Sequence, residues 1–226
     1  MKKSTITIGE RSAAIFITES SMNCPVIYTH FSSDMAEAIA ALLADTKVAL
    51  IALDGVDWDS DLSPWPAPRA FRGGSDFSGG ADAYLRELTK NIIPTIENTL
   101  GLVPYSRAIM GYSLAGLFSV YALYRTEIFN CTASVSGSLW YDGFIDFMKA
   151  NHLKRLPERV YFSLGDCEKA VRNQRLALVE HCTSEAEMIV KALGVKTTFE
   201  MNPGNHFADV PERIAKAIKW LESTDN

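Results

Sequence analysis

Ser113 stands in Ile109-Met110-Gly111-Tyr112-Ser113-Leu114-Ala115-Gly116, between a short apolar run and an apolar, alanine-containing helical pattern that reaches about Tyr124. A serine hydroxyl is a poor nucleophile at neutral pH. It needs a base to take its proton and an acid to hold that base in the right tautomer. His206, in Pro203-Gly204-Asn205-His206-Phe207, has the chemistry of the base. Asp166 and Glu168, both in Gly165-Asp166-Cys167-Glu168, have the chemistry of the acid. Serine, acid, histidine is a chain order in which such triads occur, and the chemistry is acyl transfer through a covalent acyl-enzyme. His30, His152 and His181 are weaker candidates for the base. His152 and His181 fall on helical or helix-end patterns and are expected at the surface.

These residues must be brought together by the elements that carry them. Gly-x-Ser-x-small between a strand and a helix is the pattern of a nucleophile elbow. The sharp turn demands small residues two before and two after the serine, and Gly111 and Ala115 supply them. The start of the following helix turns free N–H groups and its positive dipole end toward the serine, where an oxyanion would develop. Asp166 and Glu168 follow the apolar run 159–164, and His206 follows the run 196–201, so both read as strand-end residues. Strands at 4–9 and 13–18, joined through Arg11-Ser12, form an opening hairpin. Further strands are expected at 25–30, 48–53 and 131–135. Helices are expected at about 35–45, capped by Ser32, Ser33 or Asp34, and at 81–100, 141–150, 173–193 and 208–221. From residue 25 onward strand and helix alternate. That predicts an α/β domain over 1–226: a mostly parallel sheet covered on both faces, with the hairpin as an antiparallel edge. Residues 54–80, rich in proline and glycine and carrying Trp58 and Trp65, read as a long loop beside the active site.

Composition narrows the function. The 226 residues are 47% hydrophobic and 22% charged, with a net charge of −5 and no run of lysine or arginine. This excludes an electrostatic nucleic-acid or anionic-membrane surface. No stretch is long and apolar enough to span a bilayer, and no apolar segment follows Lys2-Lys3, so a cytoplasmic protein is expected. Cys24, Cys131, Cys167 and Cys182 show no metal-ligand spacing and read as buried free thiols. No metal cluster or phosphate-cradling glycine motif is present, and no cofactor is expected.

Gly111-Tyr112-Ser113-Leu114-Ala115-Gly116-Leu117-Phe118, Ser136-Gly137-Ser138-Leu139-Trp140-Tyr141, Asp61-Leu62-Ser63-Pro64, Gly79-Gly80-Ala81-Asp82-Ala83-Tyr84 and Gly204-Asn205-His206 together resemble the esterase D-like α/β-hydrolases. That group includes siderophore esterases that cleave enterobactin-type trilactones. The resemblance covers most of the chain from about residue 25. It departs from the pattern at Ala115, where glycine is usual, and in lacking an arginine-rich face for anionic catecholates. It implies the α/β-hydrolase fold and a serine esterase acting on a small-molecule ester, with a homo-oligomer compatible. In similar hydrolases the acid stands three residues after the turn glycine, which is Glu168 here, with Asp166 as the alternative. The oxyanion hole is implied at the backbone N–H of Leu114 and, from the loop after the third strand, of Phe31, with His30 shaping that turn. Tyr112 and Trp140 are expected in the substrate pocket, with Trp58 and Trp65 as secondary lining. A thioesterase or acyltransferase using the same triad, or a non-catalytic binding protein on the same fold, are the alternatives.

Overall fold

A computed structural model describes residues 1–17, 23–70 and 73–223. Thr18, at the end of the second predicted strand, and Phe71 and Arg72, in the long loop, lie outside the described residues. The chain opens with β1 (Lys2–Ile8), β2 (Arg11–Ile17), β3 (Val26–His30), α1 (Ser33–Ala41) and β4 (Ala49–Asp54). Next come α2 (Trp58–Asp61) and a small ribbon of β5 (Pro66–Ala67) against β6 (Phe77–Ser78). α3 (Ala81–Glu87), a π-turn over Leu88–Ile92 and α4 (Ile93–Leu100) lead to β7 (Arg107–Tyr112) and α5 (Leu114–Leu123). β8 (Cys131–Val135), α6 (Phe144–Ala150), β9 (Arg159–Gly165), α7 (Gln174–Ala177), α8 (Val179–Ala192), β10 (Lys196–Asn202) and α9 (Val210–Glu222) complete the order.

Among the described residues eight strands form one sheet in the order β1-β2-β4-β3-β7-β8-β9-β10. β1 and β2 run antiparallel at one edge, and every pairing from β4 through β10 is parallel. This is the predicted sheet with its N-terminal hairpin edge. Successive side chains leave a strand on opposite faces, so two cores form. Ala49, Ile51 and Leu53 of β4 with Val160, Phe162 and Leu164 of β9 pack under α3, α4, α5, α6 and α8. Leu50 and Ala52 of β4 with Ala108 and Met110 of β7 pack under α1 and α9. All ten residues of α5 are buried, as befits a helix wedged between the sheet and other helices. Among the described residues no helix is long and apolar enough to cross a membrane.

Several predicted elements differ in detail. The segment 54–80 is not structureless: Asp57 caps α2 by accepting from the Ser60 N–H, and the ribbon closes the rest. The helix expected over 81–100 widens into a π-turn at Leu88–Ile92, where the Ile93 N–H reaches the Leu88 carbonyl. Pro94 explains this. It has no N–H to offer Lys90, and its ring would press on that carbonyl in a regular α-helix, so the wider turn relieves both. The helix expected over 173–193 is two pieces, α7 and α8, and α6 starts only at Phe144, after Gly143 in a left-handed conformation. Cys24, Cys131 and Cys182 are buried free thiols, but Cys167 is exposed because it sits on the open turn after β9.

Candidate active site

The turn between β7 and α5 places Ser113 at φ 58° and ψ −123°, a left-handed conformation that a non-glycine residue adopts only when its surroundings enforce it. Parallel pairing of β7 with β8 carries the chain to this point. There the Ser113 N–H donates to the Val135 carbonyl, and the Ser113 carbonyl accepts from Gly116, Leu117 and Ser138. A Cβ on Gly111 would lie 2.3 Å from the Ala115 carbonyl carbon, so any side chain there would push strand and helix apart where they close on each other. A Cβ on Gly137 would lie 2.0 Å from Ser134 Oγ, and one on Gly116 would lie 2.9 Å from the Gly137 Cα. The close seating of the α5 N-terminus on the turn after β8 depends on both glycines.

His206 Nε2 is 3.2 Å from Ser113 Oγ, and His206 Nδ1 is 2.7 Å from Glu168 Oε2. A carboxylate against Nδ1 draws the imidazole proton to that nitrogen and leaves Nε2 free to accept from the serine hydroxyl. Glu168 is buried, and its Oε1 accepts from Ser136 Oγ and from the Gly165 N–H, both at 2.6 Å. Burial works to raise its pKa. The hydrogen bonds from His206, Ser136 and Gly165 outweigh that and hold it below the usual glutamate range. Arg213, fully buried on α9, adds its guanidinium 3.4 Å from Glu168 Oε1 and donates to the Pro203 carbonyl at 2.7 Å. It thereby joins the acid to the loop that carries His206. Gly165 leaves room for this, since a Cβ there would lie 2.3 Å from the Gly204 carbonyl oxygen and 2.9 Å from the Arg213 guanidinium. Asp166 points elsewhere. It is exposed and accepts from the Gly204 N–H at 2.9 Å, pinning the acid turn to the histidine loop.

Two clefts meet at Ser113. Ser113, Ser138 and Trp140 line both. One continues past Leu114 to Trp58, Arg69 and Phe77, the other past His206 to Val171, Leu176, Val179 and Phe207. Among the described residues no group of three or more His, Cys, Asp or Glu is placed to hold a metal.

The structure thus brings Ser113, His206 and Glu168 together and leaves Asp166 at the turn. Trp140 lines both clefts, with the Arg175 guanidinium 5.5 Å from its ring centroid, and Trp58 lines one. Tyr112, expected in the pocket, lines neither cleft. Its ring lies 4.8 Å from the His206 ring and its hydroxyl donates to the His206 carbonyl, so it braces the histidine loop. Trp65 lines neither cleft either. Its indole N–H donates to the Asp142 carbonyl at 2.9 Å and its ring packs among Tyr121, Tyr141, Phe144 and Phe147. Phe31 directly follows β3 and packs against the core under α1 and α9. His30 is buried with Nε2 2.9 Å from the Tyr84 hydroxyl, away from the Ser113 hydroxyl that His206 holds, while His152 and His181 are exposed. Sequence reasoning assigned no role to Ser136, Ser138 or Arg213. Arg213 had one visible mark: it falls in register with Ala217 and Leu221 on the apolar stripe of its helix, where a lone arginine needs a buried partner.

Residues 17–209 match the family model described as "Putative esterase". The uncharacterized protein YbbA of Bacillus subtilis is 25% identical over 215 residues, which is 87% of this chain and 85% of that protein. Among solved structures, an IroE-like serine hydrolase from Shewanella oneidensis superposes with a TM-score of 0.82 at 16% identity, over 99% of this chain and 82% of that one. The siderophore hydrolase EstA from Aspergillus nidulans gives 0.72 at 17% identity, over 98% and 93%. These structural likenesses are of fold alone, and the α/β sheet of this chain shares that fold. Because the family match spans most of the chain and the fold agrees with it, the protein belongs to the esterase family and is a carboxylic-ester hydrolase.

Proposed function

We propose that the protein cleaves a carboxylic ester through an acyl-enzyme on Ser113, with His206 as general base and Glu168 as the acid that orients it. The observation that carries this reading is the chain of hydrogen bonds from Ser113 Oγ through His206 to a buried Glu168, built on a backbone strained at the serine. His206 Nε2 takes the hydroxyl proton as Ser113 Oγ bonds to the ester carbonyl carbon. Glu168 stabilises the imidazolium. The proton then passes to the alcohol oxygen as the C–O bond breaks, and water repeats the sequence to release the acid. The carbonyl oxygen, negative in the intermediate, faces the Leu114 N–H at the start of α5. The second donor is the Phe31 N–H. β3 pairs in parallel with β7 as far as Tyr28 opposite Ile109, so the carboxyl ends of both strands lie at the same edge of the sheet, and Phe31 directly follows β3 there.

Labelling with a fluorophosphonate probe and turnover of p-nitrophenyl esters test the reading. Ser113→Ala should fold normally, lose the label and lose on the order of 10⁴ to 10⁶ in kcat. Wild-type turnover by a folded Ser113→Ala protein would overturn it.

A further inference from the structure

The two clefts at Ser113 differ in chemistry. The cleft that takes in Leu114 is mixed, with Asp59, Arg69, Gly74 and Ser75 beside Trp58 and Phe77. The cleft that takes in His206 is apolar beyond the reacting groups and Ser138, being walled by Trp140, Val171, Leu176, Val179 and Phe207. Among the described residues that line or back this second cleft, Glu168 and Arg175 carry charge, and both are engaged within the protein. Glu168 is committed to His206, Ser136 and Gly165. Arg175, against the Trp140 ring, is committed to the Asp142 carboxylate at 3.0 Å and the Pro68 carbonyl at 3.0 Å. Two of the walls face water as they stand: Phe207 is 78% exposed and Val171 44%. Apolar surface held at the mouth of a cleft is covered favourably by an apolar ligand.

The order of proton transfer decides which part of an ester each cleft receives. The alcohol oxygen must collect its proton from His206 Nε2 as it leaves, while the carbonyl oxygen must face the Leu114 N–H. The alcohol portion therefore extends on the His206 side, and the acyl portion is left to the other cleft that Ser113 lines. Resting on the assignment of Ser113 and His206 above, we infer that the enzyme selects its substrate by the alcohol portion, an uncharged alkyl or aryl group seated against Val171, Leu176, Val179 and Phe207.

Two ester series read this directly. In one, acetate is esterified to methanol, butanol, hexanol and benzyl alcohol. In the other, the methyl esters carry acetyl, butanoyl and hexanoyl groups. kcat/KM reports the steps up to alcohol release, so it senses the leaving group even where a shared deacylation step limits kcat. Across the alcohol series kcat/KM should climb about tenfold or more from methyl to hexyl, by burial of added methylenes, and more steeply than across the acyl series. Val171→Asp and Phe207→Ser, both at exposed positions that tolerate polar side chains, should flatten the alcohol series about tenfold and leave the slope of the acyl series. A flat alcohol series in a wild-type enzyme that labels at Ser113 and turns over the esters would overturn this inference alone. Variants that flatten the acyl series instead would also overturn it, by making the apolar cleft the acyl site. Absence of both label and turnover would overturn the acyl-enzyme reading itself, and this inference with it.

Discussion

Two carboxylates follow the same strand, and they differ in what each faces. Glu168 turns inward to His206 Nδ1 and is held by Ser136, the Gly165 N–H and Arg213, whereas Asp166 turns outward to the Gly204 N–H. A glutamate reaches the histidine from three residues past Gly165 because the turn folds back on itself, the Glu168 N–H donating to the Gly165 carbonyl at 3.1 Å. Glu168→Gln is expected to cost on the order of 10⁴ in kcat, since an amide at that place favours the wrong imidazole tautomer. Asp166→Asn should keep most of the activity, losing only part of one exposed hydrogen bond. Steady-state kinetics on both variants decide the assignment. An inactive Asp166→Asn beside a near-normal Glu168→Gln would transfer the role of acid to Asp166.

At the scale of the element, the elbow works because β7 and α5 meet at almost no distance. Strain at Ser113 is shared with the neighbouring strand end, where Ser136 is also left-handed at φ 48°, and with Asp209 at φ 50° just ahead of α9. Ser113 and Ser136 stand where the chain leaves a strand, and Asp209 where the loop carrying His206 enters α9. Gly111→Ala tests how tightly the elbow is specified. Its new Cβ would meet backbone atoms of Ala115 at 2.3 to 2.4 Å, and backbone can give way only if α5 moves. The expected cost is about 1–3 kcal/mol of stability, a fall of several degrees in Tm, with a much larger proportional loss in the rate of fluorophosphonate labelling. Ala115→Gly, by contrast, should cost about 1 kcal/mol through helix propensity and retain labelling. Thermal melts and labelling rates on the two variants provide the comparison, and equal labelling by Gly111→Ala and wild type would show that the helix can shift without harm.

Across the whole molecule, His30 sits where β3, α3 and α5 meet. It ends β3, its Nε2 meets the Tyr84 hydroxyl from α3, and the Phe118 ring of α5 stands 5.4 Å from its own. Arg11 of β2 lies 4.6 Å from the Tyr84 ring centroid and pairs with Asp61 of α2 and Glu87 of α3, so the edge hairpin is tied to the same point. Burial, with the Arg11 charge adding to it, pushes the His30 pKa down to about 3. The unfolded chain takes up that proton near pH 6.5. Between these values the unfolded state binds more protons than the folded one, so stability is full above about pH 6.5 and falls as pH is lowered toward 3, by up to about 1.4 kcal/mol per pH unit. His30→Gln, which can keep a hydrogen bond to Tyr84, should flatten this acid slope. Urea midpoints at pH 7, 5 and 4 measure it, and identical slopes in variant and wild type would remove His30 as the cause.

Strand and helix alternation, the small residues flanking Ser113, and a histidine and carboxylates at strand ends are local properties. Side-chain periodicity and turn sterics act within a few residues, so the sheet class, the elbow and the three chemical positions could be read from the chain alone. Other features depend on contacts between residues far apart in the chain. Glu168 rather than Asp166 meets His206 because Ser136 from β8 and Arg213 from α9 converge on one carboxylate. Tyr112 leaves the pocket because its hydroxyl finds the His206 carbonyl, and Trp65 leaves it because Asp142, 77 positions away, accepts its indole N–H. The apolar cleft is likewise assembled from Trp140, Val171, Leu176 and Phe207, which share no motif. A side chain's rotamer and its partner are set by the packing of elements brought together over long stretches of chain, and this packing, not local pattern, decided which aromatic residues line the clefts at Ser113 and which pack behind them.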